Sequence, residues 1–170
     1  MLKRLGLTIG AIAASAILGG TVAVAVLTAS VGGTTIQVQN RADTAASFTN
    51  VAAFNNLPGA VVSVTVPAGT SRLITARFTA ESRCTGAVNR WCSVRVVVFT
   101  PAGGTIELNP QSGIDYAFDS AATDNWEGNA LERSIRLPAG TYRVQVQRAV
   151  NFAGTAFTLD DWHFRVDLNV

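Results

Sequence analysis

The chain has 170 residues and a formal net charge of +2. Lys3 and Arg4 account for the whole of this charge, because the other 11 cationic side chains are matched in number by 11 Asp and Glu side chains. The rest of the chain is formally neutral. It lacks the net basic charge of proteins that neutralise nucleic-acid phosphates, and we expect no nucleic-acid partner.

The first 29 residues have the features of a secretory signal peptide. Lys3 and Arg4 precede an uncharged stretch from Leu5 to Val31, in which Ala23-Val24-Ala25 fits the small-x-small rule for cleavage. The same stretch is long enough to be an uncleaved anchor, since about 20 apolar residues span a bilayer. We therefore expect residues 1–29 to be a signal or anchor helix. The rest of the chain is then secreted and extracellular or, as the alternative, membrane-anchored through this helix with the domain outside.

Residues 30–56 are predicted to be a linker with a first strand that enters the fold. They are rich in Gly, Thr, Ala and Asn, and Thr34–Val38 is a candidate edge strand. Residues 57–170 are predicted to form one domain, which is long enough to bury a substantial core.

Apolar and polar residues alternate through residues 57–170, as is typical of strands with one buried face. Turn residues separate the runs, and there is no convincing amphipathic helix. We predict an all-β fold, an antiparallel β-sandwich of jelly-roll type with about eight to ten strands. The apolar positions of the clearest runs are Val62, Val64 and Val66; Ile74, Ala76 and Phe78; Val94, Val96 and Val98; Tyr142, Val144 and Val146; and Trp162, Phe164, Val166 and Leu168.

Two near-identical segments, Val66-Pro67-Ala68-Gly69-Thr70 and Leu137-Pro138-Ala139-Gly140-Thr141, lie between predicted strands. Proline presets φ for a turn, and glycine adopts positive φ without strain. We interpret the two segments as equivalent hairpin turns, one in each sheet.

Cys84 and Cys92 are the two cysteines of the chain. Outside the cell an even number of cysteines favours a disulfide bond. Their short spacing predicts a bond that staples a hairpin.

Two polar loops, 83–93 and 119–131, each carry a tryptophan. An exposed indole beside amides or acids can stack on a sugar ring while its neighbours bind the sugar hydroxyls. The alternative is that each indole covers the end of the core, since large apolar side chains are usually buried. The candidate ligand-binding residues are Arg90 and Trp91 in the first loop and Asn125, Trp126 and Glu127 in the second.

Asp119, Asp124 and Asp160 are candidate metal ligands, because calcium binds several oxygen ligands that loops often supply. The three residues are far apart in sequence, and no EF-hand spacing is present. We favour the interpretation that Asp160 and Asp161 begin the last strand and pair with arginine. We predict no cofactor other than this candidate calcium ion.

No catalytic residue is predicted. His163 is the single histidine, and no GxSxG motif is present for a serine nucleophile. By its register His163 is expected on the outward, solvated face of the last strand, whereas Trp162 is expected in the core. Glycoside hydrolysis needs a pair of carboxylates at a defined separation, and the four candidates Glu81, Glu107, Glu127 and Glu132 have no spacing that fixes such a pair.

A polar face is also predicted if two of the strands are neighbours. This face is either a binding platform for an anionic or hydroxylated ligand or an ordinary solvated surface with cross-strand ion pairs. Its members are Arg143, Gln145, Gln147, His163, Arg165 and Asp167.

The stretch 57–170 resembles small exported β-sandwich proteins of actinobacteria, a group that carries no assigned function. The resemblance is carried by the repeated Pro-Ala-Gly-Thr turn, Phe78–Cys84, Phe118–Ser120 and Leu159–Trp162. More loosely it is similar to jelly-roll carbohydrate-binding modules and C1q-like modules. That similarity concerns architecture and contains no specific binding motif.

These observations predict a secreted or cell-surface binding module without enzymatic activity, with a glycan or another surface protein as its partner. The alternative is a structural, self-assembling module that interacts through a sheet face or edge. A secreted hydrolase is the third hypothesis.

Overall fold

A computed structural model of the protein describes residues 34–122 and 124–170. The predicted signal or anchor helix, residues 1–29, lies outside the described residues. Within the described ranges, no helix has the length and apolar character needed to cross a membrane.

The described chain is almost entirely β structure, as predicted, and its strands pair antiparallel. A short 3-10 turn at Gly113–Asp115 interrupts the strands. The strands are β1 (Thr35–Asp43), β2 (Ser47–Thr49), β3 (Asn55–Thr85), β4 (Trp91–Phe99), β5 (Thr105–Glu107), β6 (Asp119–Ser120), β7 (Glu127–Val150) and β8 (Ala156–Asn169).

The strands follow the order β1-β8-β3-β7-β4-β5, with β2 beside β8 and β6 beside β4. β3 and β7 are long because each strand runs through two parts of the sheet, one containing β8 and one containing β4. Residues 73–85 of β3 pair with β8, and residues 71–82 pair with residues 127–138 of β7. Residues 55–66 of β3 pair with residues 140–148 of β7. The sheet therefore has a β8 half and a β4 half, joined by the two long strands.

The two Pro-Ala-Gly-Thr segments lie opposite each other where these halves meet. The register between β3 and β7 shifts between Val66 and Ser71, and the paired positions there include Gly140 and Pro138. Our prediction of two hairpin turns was wrong, because β3 and β7 each continue as a strand through their segment. Proline removes a ladder hydrogen bond and glycine permits φ of 70° at Gly69, so the paired segments make a corner rather than a chain reversal.

The two halves face each other and enclose the hydrophobic core, which gives the sandwich-like fold. The buried positions predicted for the last strand are confirmed, since Trp162, Phe164, Val166 and Leu168 are all buried. Asp167 was expected on the outward face and is buried as well, at 5% exposure. Phe78 of the β8 half is fully buried, and its ring centroid lies 5.9 Å from that of Phe118 and 6.2 Å from that of Trp162. Other core side chains include Val64, Val94, Val96, Val144 and Phe157.

The predicted disulfide between Cys84 and Cys92 is present. It does not staple a hairpin, because Cys84 pairs with Phe157 in the β8 half and Cys92 pairs with Val150 in the β4 half. The spacing indicated a local turn, whereas residues 86–90 cross from one half to the other. The bond therefore ties the two halves together at the end opposite the Pro-Ala-Gly-Thr corner.

Removal of this bond provides a first test of the fold. Closing a loop of this length stabilises a protein by about 2–3 kcal/mol on the chain-entropy estimate. We expect the double variant Cys84→Ser/Cys92→Ser to lose about that much free energy of unfolding in urea denaturation. An unchanged midpoint and slope would show that the bond does not constrain the chain.

The predicted polar face does not exist as one surface. Residues 140–150 of β7 lie in the β4 half and β8 lies in the other half, so the two runs are not neighbours. Gln145 is buried, and its amide nitrogen donates to the carbonyl oxygens of Leu57 and Ala60 at 2.9 and 3.0 Å. The separated members are Arg143, Gln145 and Gln147 on β7 and His163, Arg165 and Asp167 on β8.

On β8, His163 is exposed, as the register predicted. Asp167 is buried and accepts a hydrogen bond from Arg165 Nε at 2.8 Å, while Arg77 forms an ion pair with Glu132. The charged side chains named here are therefore paired with opposite charges.

Candidate functional site

The loop that carries Trp126 is fixed where it leaves β6. Asp119 of β6 is only 5% exposed, and its Oδ2 accepts a hydrogen bond from the Ser82 hydroxyl at 2.8 Å. The Asn129 amide donates to the Ser82 oxygen at 2.9 Å. Because β6 pairs with β4 whereas Ser82 lies in the β8 half, this network is a second link between the halves beside the disulfide.

Burial raises the pKa of Asp119 above its ordinary value of 3.8. Hydrogen bonds from Ser82 and from the backbone of Ser120 oppose that shift, and the negative charge of Glu127 adds to it. Asp119 is therefore a largely desolvated carboxyl group that serves as a hydrogen-bond anchor for the loop.

The shift at Asp119 has a defined sign in the pH dependence of stability. The folded protein keeps the Asp119 proton to a higher pH than the unfolded chain, so the free energy of unfolding falls as the pH rises from 3.8 through the folded pKa. We expect the stability of the wild type, measured relative to Asp119→Asn by urea denaturation, to decline with pH over that window. A relative stability that stays flat or rises would contradict the burial of this carboxyl group.

The same loop is fixed again at Asp124, whose Oδ1 lies 2.6 Å from Nε of Arg83. The hydrogen bond and charge of Arg83 lower the pKa of Asp124, and Asp124 in turn raises the pKa of Arg83. Both side chains are solvent-accessible, so the pair defines a position on the surface and contributes little to stability.

Trp126 follows this ion pair and is 46% exposed. Asn125 and Glu127 on either side of it are exposed too. The next contact along the chain is the pairing of Glu127 with Ser82 at the start of β7. The indole is therefore an exposed aromatic surface on a short segment held at both ends.

Trp91 is placed differently, because it lies at the start of β4 and is half-buried. Its indole N–H donates to the Ile114 carbonyl oxygen at 2.8 Å, and its ring meets Phe152 edge-on with centroids 6.5 Å apart. The guanidinium of Arg90 lies 3.6 Å from the centre of the Phe152 ring. Trp91 and Arg90 thus form one cluster around Phe152, and no ring contact in the described chain joins it to Trp126.

The three candidate metal ligands are not brought together. Asp119 binds Ser82, Asp124 binds Arg83, and the Asp160 carboxylate accepts the backbone N–H of Asp161. Within residues 34–122 and 124–170, no group of three or more His, Cys, Asp or Glu side chains is arranged to hold a metal ion.

Phe48 and Arg148 are parts of this end of the sandwich that sequence reasoning missed. Phe48 is the most exposed aromatic side chain described, at 59%, and lies on β2 within the stretch predicted as a linker. Arg148 is buried, and its guanidinium donates to the carbonyl oxygens of Ser47 and Phe48. A three-residue strand has too few positions for a period-two pattern, so only the aromatic residue itself gave a signal.

No protein-family model matches the chain, and the curated proteins contain no significant match. Among solved structures it is similar to dimeric latent PorU from Porphyromonas gingivalis, with 12% identity and a TM-score of 0.36, over 78% of this chain and 12% of that chain. It is also similar to the carbohydrate binding module CBM6cm-2 from Cellvibrio mixtus lichenase 5A, in complex with cellotriose, with 17% identity and a TM-score of 0.27, over 82% of this chain and 89% of that chain. Values of this size establish no family for the chain.

Proposed function

We propose that the protein is a secreted or cell-surface glycan-binding module without enzymatic activity. The observation that carries the proposal is Trp126, an indole that is 46% exposed on a segment held at both ends. Large aromatic side chains are usually buried, and one kept in water by a firm scaffold presents an apolar face to a ligand.

The scaffold favours binding because it lowers the entropy lost when a ligand orders the loop. Asp124 is paired with Arg83 ahead of Trp126, and Glu127 is paired with Ser82 directly after it. Exposed amide and carboxylate groups at Asn125 and Glu127 are of the kind that hydrogen-bond sugar hydroxyls.

Binding of the full chain to a panel of immobilised glycans tests this function. We expect selective retention on a subset of the saccharides. Retention on none of them would overturn the proposal.

The proposed location rests on residues 1–29, with Lys3 and Arg4 ahead of the apolar stretch. We expect the protein recovered outside its native host cell to have lost about 25–29 residues, which intact-mass measurement detects. Met1 retained on protein in the membrane fraction would indicate the anchored form, and a full-length protein inside the cell would contradict export.

A second candidate function is self-assembly, and the edge strand β1 favours it. β1 is nine residues long, and among the described strands it pairs with β8 alone. Ile36 and Val38 are exposed on it, and it contains neither proline nor lysine, the residues that commonly blunt an edge.

We expect Val38→Lys to shift any dimer or larger species towards monomer in sedimentation velocity over a concentration series. Charged side chains on an edge strand disfavour pairing with a second edge, which is the physical reason for the expected shift. A wild type that sediments as a monomer at every concentration would remove this candidate.

A further inference from the structure

We propose that a neutral polysaccharide binds across the outer surface of the β8 half, along a row that runs from Phe48 to Trp126. This inference rests on the proposed glycan-binding function and adds to it a second aromatic contact and a class of saccharide. We refer to Phe48, Thr158, Arg83 and Trp126 as the aromatic strip.

Strand register places three members of the strip side by side. Phe48 of β2 pairs with Thr158 of β8, and Thr158 pairs on its other side with Arg83 of β3. Side chains of directly opposed residues project from the same face of a sheet. The neighbouring positions Cys84 and Phe157 are buried, so Phe48, Thr158 and Arg83 lie on the outward face.

Trp126 continues this row on the far side of Arg83. The pairing of β3 with β7 ends at Ser82 and Glu127, and Arg83 and Trp126 are the next residues beyond that last pair. The ion pair between Arg83 and Asp124 places Asp124, two residues before Trp126, next to this position. The row therefore begins and ends with an exposed aromatic side chain.

The distance across the strip sets a minimum size for the ligand. Phe48 and Trp126 are separated by three inter-strand spacings, which corresponds to about 14 Å at about 4.8 Å for each spacing. A single sugar ring does not reach both aromatic side chains, whereas an oligosaccharide laid across the strands does.

Charge selects a neutral saccharide. Arg83 is already compensated by Asp124. The adjacent row contains Glu81 paired with Asp160, and Asp161 projects beside them from an exposed position. These carboxylates accept hydrogen bonds from hydroxyl groups and repel sulfated or uronic acid chains.

A shallow depression lies on the surface next to the strip. It has a volume of about 340 Å³ and lies over the paired strands β3 and β7, beside Asp161 of β8. Its lining residues are Thr79, Ala80, Glu81, Gly128, Asn129, Ala130 and Asp161. Small side chains and the carboxylates of Glu81 and Asp161 thus border the aromatic strip on this side.

Phe48 is also held in place, as a binding residue requires. Arg148 is buried and donates to the carbonyl oxygens of Ser47 and Phe48, with the contact to Phe48 at 2.8 Å. This fixes β2 from the β4 half while β8 pairs with it from the other. An aromatic side chain at 59% exposure on a doubly held backbone is suited to stacking.

The test uses the full chain and a series of neutral gluco-oligosaccharides from the monosaccharide to the hexasaccharide, with a sulfated oligosaccharide as the anionic probe. We expect Phe48→Ala to weaken binding of the longest members by about tenfold and to leave the shortest members unchanged. The matched control is Ile106→Ala, which removes a partly exposed apolar side chain from β5 at the opposite edge and is expected to bind like the wild type.

The possible failures are distinguishable. Equal binding of Phe48→Ala and wild type at every length, with binding still lost in Trp126→Ala, would overturn the strip and leave the glycan-binding function standing. Tighter binding of the sulfated probe than of the neutral hexasaccharide would overturn the choice of a neutral ligand. Absence of binding by the wild type to every member of the series would overturn the strip, and absence of binding to every saccharide of the glycan panel as well would overturn both proposals.

Discussion

Trp126→Ala is expected to weaken glycan binding by about tenfold or more. The substitution removes an aromatic face that is 46% exposed and hence available to stack on a sugar ring. The loop anchors Asp119 and Asp124 are untouched, so the loss reports on the indole itself. Isothermal titration with the saccharide that the wild type retains most strongly measures the change.

Two controls define what the loss means. Trp126→Phe keeps an aromatic face and is expected to retain most of the affinity. The melting temperature of Trp126→Ala is expected to stay close to that of the wild type, because the side chain is not part of the buried core. Wild-type affinity in Trp126→Ala would contradict a role of this side chain in binding.

Phe78→Ala is expected to cost about 3–5 kcal/mol of the free energy of unfolding. Phe78 is fully buried between Phe118 and Trp162, so its truncation removes transfer energy and leaves a cavity. Urea denaturation followed by tryptophan fluorescence measures the loss.

Phe48→Ala is the matched control for that variant. It removes the same side chain from a position that is 59% exposed, and a cost below about 1 kcal/mol is expected because little area is lost from the interior. Equal losses in the two variants would contradict the placement of Phe78 in the core. A small loss in Phe48→Ala also shows that this variant folds and is suitable for binding measurements.

Local pattern was sufficient to predict the all-β class and the buried positions of the last strand. Period-two alternation depends on which face of a strand is buried, and the residues from Trp162 to Leu168 carry it clearly. The same local reasoning failed at Val66–Thr70 and Leu137–Thr141. Proline and glycine occur in the same local pattern whether the chain reverses in a turn or bends at a corner. The pairing of β3 with β7 distinguishes the two, and a local pattern does not contain that pairing.

Contacts between residues distant in sequence likewise determine which polar positions are buried and what the disulfide connects. Gln145 alternates as an exposed residue does, yet residues 57–60 fold over it and accept its hydrogen bonds. The disulfide was predicted from the number of cysteines, whereas its role between the halves follows from the partners of Cys84 and Cys92.

The candidate site could be predicted in part, because a tryptophan in a polar loop is a signal in any sequence. Whether such a side chain is exposed depends on its neighbours in space. Trp91 finds Phe152 and a carbonyl partner, while Trp126 remains in water. Phe48 joins the strip through a three-residue strand whose partner lies more than a hundred residues away in sequence.

Chemical-shift mapping tests the central proposal most directly, since it locates the ligand on the described surface. The measurement is a titration of the isotope-labelled full chain with a neutral gluco-hexasaccharide. We predict that the largest shifts involve the Trp126 indole N–H and the backbone amides of Phe48, Arg83 and Thr158, which form one row across the β8 half. Shifts concentrated on the β1 edge or around Phe152, or none at saturating saccharide, would contradict the account.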